Sequence, residues 1–138
     1  MSEKGQMTAM AGEFSVMEKL FRMGHQPALT LGNAKTVDIL TKSSAGNLYQ
    51  VSVKAVQKAG KWGVGVTDYS KEKNLIFVFL YFRQFENLEL SPETWVIPAN
   101  IVEKIKLPWL GGASAVYFSN EMQREIISKY KDAWHLFK

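Results

Sequence analysis

The chain has 138 residues, 17 Lys+Arg against 13 Asp+Glu, no cysteine, and a hydrophobic content of 46%. This length fits one domain over residues 1–138, and the apolar content excludes a disordered or low-complexity chain. The lack of cysteine excludes a disulfide scaffold, a thiolate zinc site, a thiol nucleophile and an iron–sulfur cluster, and it fits a reducing compartment.

The opening MSEKGQMTAM lacks the apolar segment of a secretory signal. The most apolar run, Leu75–Phe82, is far shorter than the ~20 residues a spanning helix needs. A cytoplasmic protein with no membrane partner is therefore expected. From Thr8 to Met23, Met10, Phe14, Met17, Leu20 and Phe21 recur at helical spacing and predict one buried stripe, with Gly24 placed to end the helix. Ala28–Leu31 reads as a short strand. Thr36–Lys42 and Leu48–Val56 read as two strands of a hairpin closed by Ser43-Ser44-Ala45-Gly46-Asn47. Gln57–Ser70 reads as a Gly/Lys-rich loop carrying Trp62, and Asn74–Arg83 as a central strand buried on both faces. Thr94–Ile97 is a further strand, ended by Pro98, and Ala99–Lys106 a short helix. A turn region, a short strand at Ala115–Phe118 and a last helix from Ser119 or Asn120 to Tyr130 complete the chain, with Met122, Ile126 and Tyr130 facing inward. This order predicts a mixed α/β or α+β fold.

The net charge of +4 is not spread evenly. Residues 35–73 hold seven lysines and three acids, while the remainder carries ten of each sign. From Lys42 to Lys61 there is no acid. Such a segment either steers an anionic partner such as a phosphate backbone or forms a lysine-rich solvated face.

Strand periodicity puts Tyr49, Val51 and Val53 on one face of the second hairpin strand and Gln50, Ser52 and Lys54 on the other. If Lys42 and Leu48 flank the turn as a pair, Asp38 falls opposite Ser52 and Thr36 opposite Lys54, about 5 Å apart at Cβ. Asp38 and Lys54 then either form an ion pair or build a hard-cation site in which Asp38 holds the metal and Lys54 meets a phosphate or a water. Glu13, on the first helix, is placed to reach the same point.

A helix with Glu13, then "VDIL", a turn and "YQVSVKAV" resembles the PD-(D/E)xK nuclease superfamily, and within it the small Holliday-junction-resolvase-like branch. The resemblance spans residues 8 to 62 and continues through "NLIFVFLYF" and "TWVIPANIVEKI". It implies a restriction-endonuclease-like core, a mixed central sheet flanked by helices, and Mg²⁺- or Mn²⁺-dependent hydrolysis of nucleic-acid phosphodiesters. Asp38 would be a metal ligand, Glu13 the helical acid supporting the metal, the Val53 backbone carbonyl a further ligand, and Lys54 the catalytic lysine. DNA, branched or duplex, would be the partner, and resolvase-like relatives extend the analogy to a homodimer.

Ser52 stands where the family places an acid or Gln, and a hydroxyl is a weak Mg²⁺ ligand beside a carboxylate. Three accounts stay open: Glu13 supplies the second charge, Gln50 contributes from the same face, or the chain has lost cleavage and binds DNA or a protein partner only. Lys42, Lys58, Lys61 and Trp62 are the nucleic-acid-binding candidates, the Trp62 indole either stacking on a base or folding back as a lid on the core. Gly63-Val64-Gly65 is no dinucleotide fingerprint, and His25 and His135 have no partner at metal spacing.

Overall fold

The computed structural model describes residues 2–31, 37–118 and 120–138. Helix α1 (Glu3–Arg22) starts at Ser2, whose side chain accepts from the Gly5 N–H, and ends as expected at Gly24. There the Gly24 N–H donates to Phe21 O and the His25 N–H to Leu20 O, with Gly24 at φ 86°. This is the Schellman closure that a glycine at that place permits.

Strands β1 (Gln26–Leu29), β2 (Ile39–Lys42) and β3 (Leu48–Val56) are followed by β4 (Lys61–Gly65), β5 (Leu75–Tyr81) and β6 (Glu93–Pro98). Helix α2 (Ala99–Ile105), β7 (Leu107–Pro108), β8 (Ser114–Tyr117) and α3 (Glu121–Ser128) complete the order. Five strands form a sheet in the order β1-β2-β3-β5-β6, in which only β3 and β5 pair in parallel. A smaller antiparallel sheet, β4-β8-β7, is not hydrogen-bonded to it but packs on one of its faces.

β5 is central and buried through Leu75–Leu80. Its alternate residues feed two cores: Leu75, Phe77 and Phe79 join Trp62, Val116, α2 and α3 on one face. Ile76, Val78 and Leu80 join Val16, Leu20, Val51 and the C-terminal Ala133 and Phe137 on the other. A strand covered on both faces has no polar alternation, which is why it reads as one apolar run. Each of these side chains contributes on the order of 1.5–3 kcal/mol by leaving water.

The hairpin register is the one deduced from sequence, Lys42 opposite Leu48 and Ile39 opposite Val51. The expected Thr36–Lys54 pairing, Lys35 and the Ser119 cap lie outside the described residues, and Asn120 caps α3 by accepting from the Gln123 N–H. Three expectations are corrected. The buried face of α1 is Thr8, Gly12, Val16 and Leu20, while Met7, Met10, Phe14 and Phe21 lie exposed. Small residues let α1 close down on β3: a Cβ on Gly12 would meet the Ala55 Cβ at 2.7 Å. On α3, Gln123 and Ile127 point inward and Met122 is 72% exposed, while Ile126 and Tyr130 pack half-buried against the core as expected. Gln123 takes the inner place because its amide accepts from the Tyr117 N–H and donates to the Ile105 carbonyl. Finally, Lys61–Gly65 is a strand, not a loop.

Candidate nucleic-acid cleavage site

β3 outlasts β2. Among the described residues, pairing between them stops at Ile39–Val51, while β3 goes on beside β5 to Val56. Asp38 sits where β2 leaves. Its N–H donates to Val51 O at 2.9 Å, one residue out of the hairpin register, and its Oδ2 accepts from the Val53 N–H at 2.7 Å. Thr30 fixes this bend by donating its N–H to Asp38 O and its hydroxyl to Val37 O. The N–H and C=O of an extended residue point the same way, so the Val53 carbonyl turns to the Asp38 side as well.

A cleft of about 430 Å³ lies there, lined by α1 at Gly5, Ala9 and Glu13, by Asp38, by β3 from Val53 to Val56 and by β4 at Trp62 and Gly63. The structure thus brings Glu13, Asp38, Val53 and Lys54 to one place. Burial first, and the negative charge of Asp38 second, hold the Glu13 carboxyl above its ordinary value, with Lys54 pulling the other way. A half-buried carboxylate held beside a second one, as Glu13 is beside Asp38, is a donor set that suits a hard cation. Among the described residues Lys54 forms no ion pair with either acid, so the simple Asp38–Lys54 bridge is not made.

Ser52 is 2% exposed and does not line the cleft; the expected Asp38–Ser52 juxtaposition fails because Asp38 bends out of the ladder to reach Val53. Gln50 is exposed and lines a different depression with Leu40 and Leu48. Among the described residues no group of three or more His, Asp or Glu converges.

Of the nucleic-acid candidates, Lys42 ends β2 at the far end of the hairpin, about 20 Å along β3 from Lys54 at ~3.3 Å per residue. Lys58 is exposed beside the end of β3, and the Lys61 Nζ sits 5.0 Å from the Trp109 ring centroid. Trp62 is corrected: it is 1% exposed, packed on Phe118 and Phe79, with its Nε1 donating to Leu80 O. Alternation along β4 turns Trp62 and Val64 inward, and the indole is part of the core rather than a stacking platform. His25 is structural, its Nδ1 accepting from the Ser44 N–H.

Sequence reasoning missed Gly12, which sets the depth of α1 and hence the position of Glu13. A glycine inside a helix costs about 1 kcal/mol against Ala and signals a packing reason. No protein-family model matches the chain, and no curated protein does. A solved structure matches it over nearly its whole length: a bacterial homing endonuclease, I-Ssp6803I, with a TM-score of 0.59 at 20% identity, covering 98% of this chain and 90% of that one. The chain shares its fold with an endonuclease. The five-stranded mixed sheet flanked by helices is thus restriction-endonuclease-like, as expected from the sequence. Among the described residues no helix is long and apolar enough to cross a membrane.

Proposed function

We propose that the protein hydrolyses nucleic-acid phosphodiesters, DNA foremost, in the manner of the PD-(D/E)xK superfamily and its small resolvase-like branch. The observation that carries this is that Glu13, Asp38, Val53 and Lys54 line one cleft in a fold shared with an endonuclease. Glu13 and Asp38, with the Val53 carbonyl, would hold Mg²⁺ or Mn²⁺. That ion, when bound, supplies Lewis acidity and an acidified water. Asp38 would be oriented for its part by the Val53 N–H, which binds one of its oxygens while the residue lines the cleft. The Lys54 ammonium, from the same cleft, would offset negative charge as water adds to phosphorus and the ester oxygen leaves.

A second reading, a nuclease-fold protein that binds DNA or a protein partner without cutting, is favoured by Ser52, which is neutral, buried and outside the cleft. Mn²⁺ titration calorimetry separates the two. The cleaving reading expects one ion in the wild type and none in Asp38→Ala; absence of binding in the wild type supports the binding-only reading.

The homodimer belongs to the same proposal. Met10, Phe14 and Phe21 form an exposed stripe on α1, with Glu3 at one end and Arg22 near the other. Antiparallel packing of two copies would cover the stripe and set opposite charges together at both ends.

A further inference from the structure

The cleft does not end at Lys54. Its residues Gly5, Ala55 and Val56 also line an adjoining depression of about 410 Å³ with Ser2, Lys4, Thr8, Gln57 and Lys58. Lys4 and Gln57 then line the next one, of about 850 Å³, with Met7 and the residues Gln84–Asn87. The three depressions share walls and make one groove round the start of α1. Its walls are tied together where the Gln57 Nε2 donates to the Thr8 Oγ1 at 2.7 Å.

The chemistry changes along this groove. Its middle section holds two exposed lysines, Lys4 and Lys58, from different elements and no acid. Its outer section is mixed: Met7 and Phe85 offer apolar surface, Gln84 and Asn87 offer amides, and Glu3 and Glu86 bring negative charge. Phe85 is half-buried, held edge-on by Phe82 with ring centroids 5.1 Å apart. A uniform phosphate track would be basic throughout. A site for unstacked bases instead combines an aromatic surface with amide donors and acceptors, beside a cationic stretch for the backbone.

We infer that this groove takes an unpaired flank of the nucleic-acid strand, with Lys4 and Lys58 meeting backbone phosphates next to the cleft and Phe85, Gln84 and Asn87 meeting bases beyond. The inference rests on the cleavage-site reading above and narrows its substrate to a duplex that carries a single-stranded arm. A fully paired duplex keeps its bases stacked and cannot place one against Phe85.

The test is fluorescence anisotropy in EDTA, where nothing is cut, with a blunt DNA duplex and the same duplex carrying a short unpaired arm. Wild type is expected to bind the armed duplex about tenfold more tightly. Phe85→Ala and Gln84→Ala should bring that ratio towards one, and Lys4→Ala should lower the salt slope for the armed probe by about one. Melting temperatures, expected unchanged at Lys4 and Gln84 and a little lower at the half-buried Phe85, guard against misfolding. Equal affinity of wild type for both probes, or a ratio untouched by all three substitutions, overturns the groove and leaves the cleft standing. Failure of wild type to bind either probe removes both readings.

Discussion

Gly12→Ala puts one methyl between α1 and β3 at the point where the helix delivers Glu13. The added Cβ would lie 2.7 Å from the Ala55 Cβ and 3.4 Å from a Val53 methyl. Ala55 has no side-chain rotamer to yield, so helix and strand must separate by close to 1 Å to reach an ordinary carbon–carbon contact of ~3.5–4.0 Å. Overpacking of this kind costs about 1–3 kcal/mol. Helix propensity runs the other way, Ala being better than Gly by about 1 kcal/mol. The net is a loss of roughly 1 kcal/mol, readable by urea denaturation. The displacement also moves Glu13, and a misplacement of ~1 Å at a reacting centre can cost ~10²-fold in rate. Mn²⁺ affinity and DNA nicking should both fall. A variant about 1 kcal/mol more stable than wild type, with unchanged metal response, would show that propensity alone operates and that Gly12 does not seat the helix.

Glu13→Gln tests the electrostatics. A carboxyl raised in the fold contributes stability that is complete below its unfolded value and is lost as pH rises through the folded one. The substitution should therefore raise the melting temperature at pH 7 without divalent ions and change it little at pH 4; a lower melting temperature at pH 7 would contradict this. Trp62→Ala should destabilise by about 3–5 kcal/mol, as loss of a core aromatic does, so its effect on DNA binding should vanish once unfolded protein is discounted. Retained stability with weakened binding would return the indole to the surface. Phe14→Asp should convert a dimer to a monomer in light scattering; a wild type that is monomeric at high concentration would refute the α1 interface.

Much of the site was legible because hairpin geometry is local. The turn fixed Lys42 against Leu48, and β3 runs over the expected Leu48–Val56. Extending that register to Asp38 failed, since the ladder breaks where Asp38 turns to Val53, a tertiary event that alternation does not encode. β4 was hidden by Gly63 and Gly65, which are poor strand formers, and by a register irregularity between them. The face of α1 was misread for a different reason. Counting the largest apolar residues assumes that they face the core, but a helix lying close to a sheet buries its smallest ones, Thr8 and Gly12, and leaves Phe14 outside. The apolar stripe and the buried face are then different faces of one helix.

The central claim is that Glu13, Asp38 and Lys54 form a working cation-dependent cleavage site despite Ser52. Mn²⁺-dependent nicking of supercoiled and of armed duplex DNA tests it most directly. Cleavage by wild type that is abolished by EDTA and lost in both Asp38→Ala and Lys54→Ala is the expected result. Cleavage that survives both substitutions, or a wild type that binds DNA and Mn²⁺ yet never cuts, would contradict it.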